Sequence, residues 1–132
     1  MSNKKIEVKP ELNDEIKKLC EENKEALLVS LATTDGFSVK CFASKELLDE
    51  ADKLAAMSST IYALSGSTAK QLLRGKFDIT IIETNAGNML FVRTEYLDVS
   101  CVLAIATGPK MALAEARYKT KKLSQAISSI SQ

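Results

Sequence analysis

The sequence contains no histidine, and this absence removes several kinds of chemistry at once. Without imidazole there is no Ser-His or Cys-His nucleophilic pair, no histidine general base and none of the commonest metal ligand. The three cysteines, Cys20, Cys41 and Cys101, are an odd number at wide spacings, which argues against a disulfide framework or a zinc site. Each cysteine lies in an apolar pattern, so we expect three buried free thiols.

An excess of one charge and a long apolar run are also missing. The chain has 18 basic and 17 acidic side chains and a net charge of +1, which gives no reason to expect nucleic-acid binding. The longest apolar stretch, residues 99–106, is too short to cross a bilayer, and no apolar run follows the N-terminal lysines as a signal peptide requires. We therefore expect a cytoplasmic protein without membrane insertion. It should form one domain over residues 11–132 behind a flexible arm over residues 1–10.

Signatures of catalysis and of nucleotide binding are absent from the sequence as well. No Gly-x4-Gly-Lys-Ser/Thr stretch occurs, and no Gly-x-Gly-x-x-Gly follows a predicted strand. The small residues at positions 65–68 lie inside a helical pattern, where helix packing explains them better. Asp78 and Glu83 have no evident paired acid in a cleft, so we interpret both as charges at sheet ends. The sequence thus predicts a protein that is not an enzyme and has no cofactor or metal.

The spacing of apolar residues predicts three helices and five strands. The predicted helices cover residues 11–23, residues 47–74 (with Ser44 as N-cap and Gly75 at the end), and a last segment opened by Gly108-Pro109. The predicted strands cover residues 26–32, 37–43, 77–83, 89–93 and 99–107, with hairpin turns at Asp35-Gly36 and residues 85–88. This order indicates an α+β fold with helices on both faces of a sheet. We expect residues 99–107 at its centre and residues 37–43 at an edge.

The long helix has two different sides. Its apolar stripe, widened by Met57 and Leu64, spans roughly 200° of the helix surface, which is broad for a helix that lies on a single neighbour. The middle of the opposite side carries only small uncharged residues, whereas a solvated side would normally carry charges along its whole length. These residues are Ala56, Ser59, Thr60, Ala63 and Ser67. We predict that they face a partner, although small residues tolerated on a solvated helix would give the same pattern.

An apolar strand runs into Asp35-Gly36 and Phe37, and the long Ala/Leu/Ser helix follows. Together with the segments IIETNAGNMLFV and VLAIATGPKMALAEARYKTKKL, these features resemble the roadblock family, which includes dynein light chains, adaptors that gather Rag-type GTPases, and bacterial regulators of Ras-like GTPases. IIETNAGNMLFV is similar to the family's apolar strand, acid, glycine-containing turn and apolar strand, and VLAIATGPKMALAEARYKTKKL to its closing strand and helix. The likeness covers residues 11–130. Residues 108–110 depart from the Asn-rich loop of many bacterial members.

The resemblance implies a five-stranded antiparallel sheet, roadblock or profilin-like, that forms a homodimer. In the family, the third strand pairs with its copy and the long helices pack side by side. The residues that we expect between the subunits are Met57, Leu64, Phe77, Ile79, Ile81 and Ile82. A partner would then approach the small residues of the long helices.

Three functions remain open at this point. The one we predict is a non-catalytic homodimeric adaptor or regulator that binds a small Ras-like GTPase and modulates its nucleotide state or location. The second is a scaffold subunit of a larger motor or signalling assembly without effect on GTP turnover. The third is a profilin-like or PAS-like sensor of a small ligand, for which only Ser30 and Ser100 offer polar groups on the central strands.

Overall fold

Within residues 6–131, which are those that the computed structural model describes, one antiparallel sheet of five strands is flanked by four helices. For Lys45 and Glu46 the description is limited to the backbone. The helices are α1 (Pro10–Glu22), α2 (Lys45–Leu48), α3 (Ala51–Leu73) and α4 (Leu113–Ser128). The strands are β1 (Ala26–Thr33), β2 (Ser38–Ala43), β3 (Ile79–Thr84), β4 (Gly87–Tyr96) and β5 (Val99–Thr107). None of the helices in this part of the chain has the length and apolar character needed to span a membrane.

The strands lie in the order β2-β1-β5-β4-β3, which places β5 at the centre and β2 and β3 at the two edges. Every neighbouring pair is antiparallel. Helices α1 and α4 cover one face of this sheet, and α3 covers the other. The predicted fold class is therefore confirmed, including the central position of residues 99–107.

The central strand carries the hydrophobic core because both of its faces are covered. Cys101, Leu103 and Ile105 alternate towards α1 and α4, whereas Val102 and Ala104 point towards α3. All of these side chains are buried. The cluster on the first face also contains Leu12, Ile16, Val29, Leu31, Val92, Tyr96, Leu123 and Ile127.

The single helix predicted over residues 47–74 is divided in two. Asp49 and Glu50 separate α2, which packs beside the edge strand β2, from α3, which contacts β2, β1, β5 and β4. Ser44 occupies the N-cap position of α2, but its side chain makes no capping hydrogen bond. The predicted cap was thus correct in position but not in mechanism.

The predicted start of the third strand, residue 77, was also wrong by two residues. Phe77 turns out of the sheet and packs edge-to-face against Tyr62 of α3, with ring centroids 5.9 Å apart. β3 therefore begins at Ile79. The strand after it is longer than predicted, since β4 begins at Gly87, where an added Cβ would collide with the carbonyl oxygen of Thr107.

Gly108-Pro109 does not open the last helix, as the sequence suggested. The N–H of Gly108 donates to the carbonyl oxygen of Glu25 at 2.9 Å, and the N–H of Lys110 donates to the Glu25 carboxylate at 2.9 Å. These bonds tie residues 108–110 to the connection between α1 and β1. Consequently α4 begins only at Leu113.

A buried tyrosine holds the segment that precedes α1. The hydroxyl of Tyr96 donates to the carbonyl oxygen of Glu7 at 2.7 Å and accepts from the N–H of Lys9 at 2.9 Å. Ile6 packs against the same core. Of the predicted flexible arm, residues 6–10 are thus attached to the domain. Residues 1–5 lie outside the described residues, as does residue 132 of the predicted domain.

We expect Tyr96→Phe to lower the free energy of unfolding by about 1–3 kcal/mol, because it leaves a carbonyl and an N–H without their buried partner. Urea unfolding measures this loss, and hydrogen exchange at the Lys9 amide should accelerate. Tyr118→Phe is the matched control, because the Tyr118 side chain is 65% exposed. Equal effects of the two substitutions would contradict this role for Tyr96.

All three thiols are free, but they differ in burial. Cys101 is fully buried, whereas Cys20 and Cys41 are half-buried. Burial, together with the nearby carboxylates of Asp35 and Glu95, raises the pKa of Cys101 to about 12. Burial also raises the pKa values of Cys20 and Cys41. The prediction of three buried thiols thus holds fully only for Cys101.

We expect Cys101 to resist thiol reagents in the native protein. A pKa of about 12, against an ordinary value of 9.0, lowers the thiolate fraction near neutral pH by about 1000-fold. Peptide mapping after dithionitrobenzoate treatment measures the labelling of each cysteine, and labelling in urea serves as the control. Modification of native Cys101 as fast as that of Cys41 would contradict the expectation.

Candidate protein-interaction surface

Helix α3 is attached to the sheet at two separated points. The hydroxyl of Ser59 donates to the carbonyl oxygen of Thr34, in the turn between β1 and β2, at 2.6 Å. The hydroxyls of Ser65 and Thr80 are 2.6 Å apart and join the helix to the edge strand β3. The helix therefore runs across the sheet from the β1–β2 hairpin to the opposite edge.

The side of α3 that faces the sheet is lined by small residues. Ala55 and Ser58 are its fully buried members. Small side chains let the helix backbone come close to the strands, while Ile61 and Tyr62 pack on the cluster of Phe91 and its neighbours. Much of the larger apolar content of α3 is consequently left on its outer surface.

One exposed side of α3 is apolar. Met57, Leu64 and Leu72 lie two turns apart in succession and so share a side of the helix. Their exposed fractions are 52%, 66% and 76%. We call these three residues the apolar flank. Scattered single apolar residues on a surface are ordinary, but several aligned on one side of a helix are typical of an interface.

The edge strand β3 adds to this apolar surface. Within residues 6–131, only β4 pairs with β3, so the outer row of its backbone N–H and C=O groups faces away from the sheet. Ile82 shares the α3 side of the strand with Thr80 and is 45% exposed. An apolar unpaired edge is a template for pairing with another strand.

The six residues predicted for a dimer interface do not share one surface. Met57, Leu64 and Ile82 are exposed on the α3 side. Phe77 is buried against Tyr62. Ile79 and Ile81 lie on the opposite side of β3, where they pack in the cluster of Leu90, Met111 and Ala116 below α4. Of the six, the first three are thus the exposed ones.

The five residues predicted to face a partner divide in a similar way. Four of them are exposed, and we call this set the small-residue flank: Ala56, Thr60, Ala63 and Ser67. Ser59 is half-buried, and its hydroxyl already donates to the carbonyl oxygen of Thr34. At 100° per residue, the small-residue flank lies beside the apolar flank on the outer surface of α3. The two flanks point in different directions.

A basic groove, which the sequence did not reveal, follows the small-residue flank to the end of α3. It has a volume of about 750 Å³, and four cationic residues line it: Lys70, Arg74, Lys76 and Arg93. Tyr62 and Phe77 also line it. The spacing of the first three cations could have suggested a basic helix end. Arg93 comes from β4, and no local signal links it to the others.

The backbone at this helix end is unusual. Arg74, rather than the predicted Gly75, is the residue in the left-handed region, with φ of 54°. The N–H of Arg74 donates to the carbonyl oxygen of Lys70 at 3.1 Å, and the N–H of Gly75 donates to the carbonyl oxygen of Ala69 at 3.0 Å. The bond from Arg74 to Lys70 closes the helix with an αL-type cap, in which glycine would normally occupy the position of Arg74.

Asp78 and Glu83, the two acids considered as catalytic groups, do not lie together in a cleft. The Asp78 carboxylate lies 2.7 Å from the Lys121 ammonium and 3.6 Å from the Arg117 guanidinium, which joins the start of β3 to α4. Glu83 is exposed. Within residues 6–131, no group of three or more acidic or cysteine side chains is placed to hold a metal ion.

The two serines considered for a small-ligand site are not brought together. Ser30 is fully buried on the α3 side of β1, and its hydroxyl has no hydrogen-bond partner in the described part of the chain. Ser100 is exposed at a shallow depression beside Arg93. The described surface therefore offers these two hydroxyls no common cavity.

No family model and no curated protein matches the sequence, but solved structures match the fold. MglB of Myxococcus xanthus superposes with a TM-score of 0.78 at 19% identity, over 92% of this chain and 95% of that one. A Roadblock/LC7 domain of Streptomyces avermitilis gives 0.73 at 19% identity, over 84% and 89%. An MglB with a tetrameric arrangement gives 0.76 at 15% identity, over 97% and 95%. The chain therefore has the roadblock/LC7 fold.

Proposed function

We propose that the protein is a non-catalytic homodimeric adaptor that binds a small Ras-like GTPase and modulates its nucleotide state or location. The observation that carries the proposal is the apolar flank of α3 beside the unpaired apolar edge of β3. The roadblock/LC7 fold and the resemblance of the sequence to GTPase regulators of that family support it. The scaffold function without effect on GTP turnover is the alternative outcome of the second test below.

The dimer would join the β3 edges of two copies and place their apolar flanks in contact. Such pairing supplies partners for the outer backbone groups of β3, which otherwise invite uncontrolled association. It also removes Leu64 and Ile82 from water, and each fully buried aliphatic side chain contributes about 1.5–3 kcal/mol. The tetrameric arrangement of one structural neighbour is consistent with self-association through this fold.

The GTPase would contact the small-residue flank. Its short side chains allow close approach to the α3 backbone without displacing long charged chains, and the flank is exposed beside the proposed dimer contact. Flat surfaces of this kind suit protein partners better than small ligands. Because the sequence has no phosphate-binding loop, the adaptor would act by favouring one conformation of the GTPase over another.

We expect the wild-type protein to sediment as a dimer of 14.4 kDa subunits at micromolar concentration. Leu64→Lys and Ile82→Lys should each raise the dimer dissociation constant by about 100-fold or more, because two buried ammonium groups enter one interface. Analytical ultracentrifugation over a concentration series gives the constants.

Tyr118→Lys is the matched control, since it places the same charge at an exposed apolar position on α4, across the sheet from α3. It should leave the dimer unchanged. A wild-type protein that stays monomeric at high micromolar concentration would refute the dimer. A dimer that both Leu64→Lys and Ile82→Lys leave intact would refute the proposed interface.

We expect the protein to bind a small Ras-like GTPase of its own organism and to change the rate of GDP release or GTP hydrolysis. Ala56→Arg should weaken binding at least about tenfold while the dimer persists, because the new side chain projects from the end of the small-residue flank that lies away from Leu64. Ser128→Arg, at the exposed end of α4, is the control. Fluorescent-GDP release and binding anisotropy measure the two effects.

The results separate the alternatives. Binding without any change in nucleotide turnover would favour the scaffold function. Binding that Ala56→Arg and Ser128→Arg affect equally would remove the small-residue flank from the proposal. The absence of binding to every Ras-like GTPase of the organism would refute the adaptor function itself.

A further inference from the structure

We propose that the basic groove is a docking site for an acidic segment of a protein partner, with an apolar side chain of that segment seated on Tyr62 and Phe77. The inference rests on the proposed function only in naming that partner as the GTPase. The chemistry of the groove stands independently of that identity.

The charges in the groove are concentrated and not neutralised. Lys70, Arg74, Lys76 and Arg93 all line it, and no carboxylate does. Among residues 6–131, the ion pairs formed by side chains involve other cations. Asp78, which follows shortly after Lys76, is bound to Lys121 and Arg117. Four cations that form no ion pair with residues 6–131, on a chain of net charge +1, make a local positive field that attracts carboxylates.

The shape of the groove favours a peptide over a small anion. Its volume of about 750 Å³ is large for a single phosphate or sulfate ion. Small anions are usually held by backbone N–H groups at a helix N-terminus or in a nest. Here the N–H groups of Arg74 and Gly75 are already bound to helix carbonyls. What remains is a set of long cationic side chains around an aromatic floor.

The aromatic floor of the groove favours a ligand that carries an apolar side chain in addition to its acidic groups. Tyr62 and Phe77 pack edge-to-face and line the groove together with Ala63 and Gly66. An aromatic pair beside residues without long side chains accepts an apolar side chain of a ligand. An acidic segment that carries one such residue satisfies both the floor and the cationic rim.

The conformation of Arg74 is a further sign that the side chain matters. A non-glycine residue with φ of 54° is unusual, and helices that end in this way mostly use glycine there. Glycine is the next residue in the chain, at position 75, where it is not needed for this turn. The chain thus keeps a guanidinium group at the rim in a backbone conformation that glycine would adopt more readily.

The groove also continues the small-residue flank, because Ala63 and Ser67 belong to both. A partner on that flank can therefore reach the groove with an adjoining segment. The apolar flank lies on the other part of the outer surface of α3, so the proposed dimer would leave the groove accessible.

The test uses a short fluorescein-labelled peptide of Asp, Glu and Ser with a central Leu-Phe pair, and the full chain without any GTPase. We expect saturable binding by anisotropy, weakened about tenfold when the salt rises from about 0.05 M to about 0.3 M. A peptide with Lys in place of every Asp and Glu should not bind. A peptide with Ala-Ala in place of Leu-Phe should bind at least about threefold more weakly.

Arg74→Gly combined with Lys70→Gln should weaken the acidic peptide at least about tenfold. The glycine suits the left-handed backbone, so the melting temperature should stay the same or rise. Lys17→Gln, on the exposed side of α1, is the control for the net charge of Lys76→Gln, and Lys17→Gln combined with Lys18→Gln is the control for the double variant. Should the double variant melt earlier than the wild type, Lys76→Gln provides the same test without touching the helix end.

Binding that survives both groove variants, or that Lys17→Gln weakens as much, would overturn the proposal. So would groove-dependent binding of anionic lipid vesicles without binding of the peptide. The outcome for the groove is separate from that for the adaptor. If the acidic peptide binds and no GTPase does, the groove proposal is supported and the GTPase is refuted as the partner. If a GTPase binds equally to wild type and groove variants and the peptide does not bind, the adaptor function is supported and the groove proposal is refuted.

Discussion

A single helix has to cover one whole face of the sheet, and the exposed surfaces of the molecule follow from that constraint. Five strands about 4.8 Å apart make a sheet face roughly 20 Å wide, whereas a helix with its side chains is only about 10 Å across. On the other face α1 and α4 share the task. α3 covers its face without a second long helix and crosses the strands, from the β1–β2 turn at Thr34 to β3 at Thr80. Apolar residues on its free side, such as Leu64, therefore remain in contact with water.

The same constraint explains why small residues occur on more than one side of α3. Ala55 and Ser58 let the helix approach the sheet closely, and Ser59 and Ser65 each use a hydroxyl to attach it. The small residues on the outer side have no such role within the chain. Their exposure is what makes a close approach by another protein possible, which is the step that leads from packing to the proposed function.

Much of the fold could be predicted from the sequence because the strands and helices have strong local patterns. The alternation in β5 and the Asp35-Gly36 turn are decided by neighbouring residues, and both occur where expected. The boundaries failed where distant residues decide them. Phe77 leaves β3 because Tyr62, fifteen positions earlier, receives its ring, and α4 starts late because Glu25 holds residues 108–110.

The same division applies to the surface. Small residues repeat along α3 with a helical spacing, so a flank could be predicted from the sequence, but Ser59 could not be separated from its neighbours without the position of Thr34. The basic groove could not be predicted from the sequence, because Arg93 of β4 lines it and no local pattern links Arg93 to the cations at the end of α3. Its position has a consequence for assembly. The proposed self-association through the apolar flank and the proposed docking in the groove would use different sides of α3. A dimer would then carry two accessible grooves, and an acidic partner could engage it without first separating its subunits.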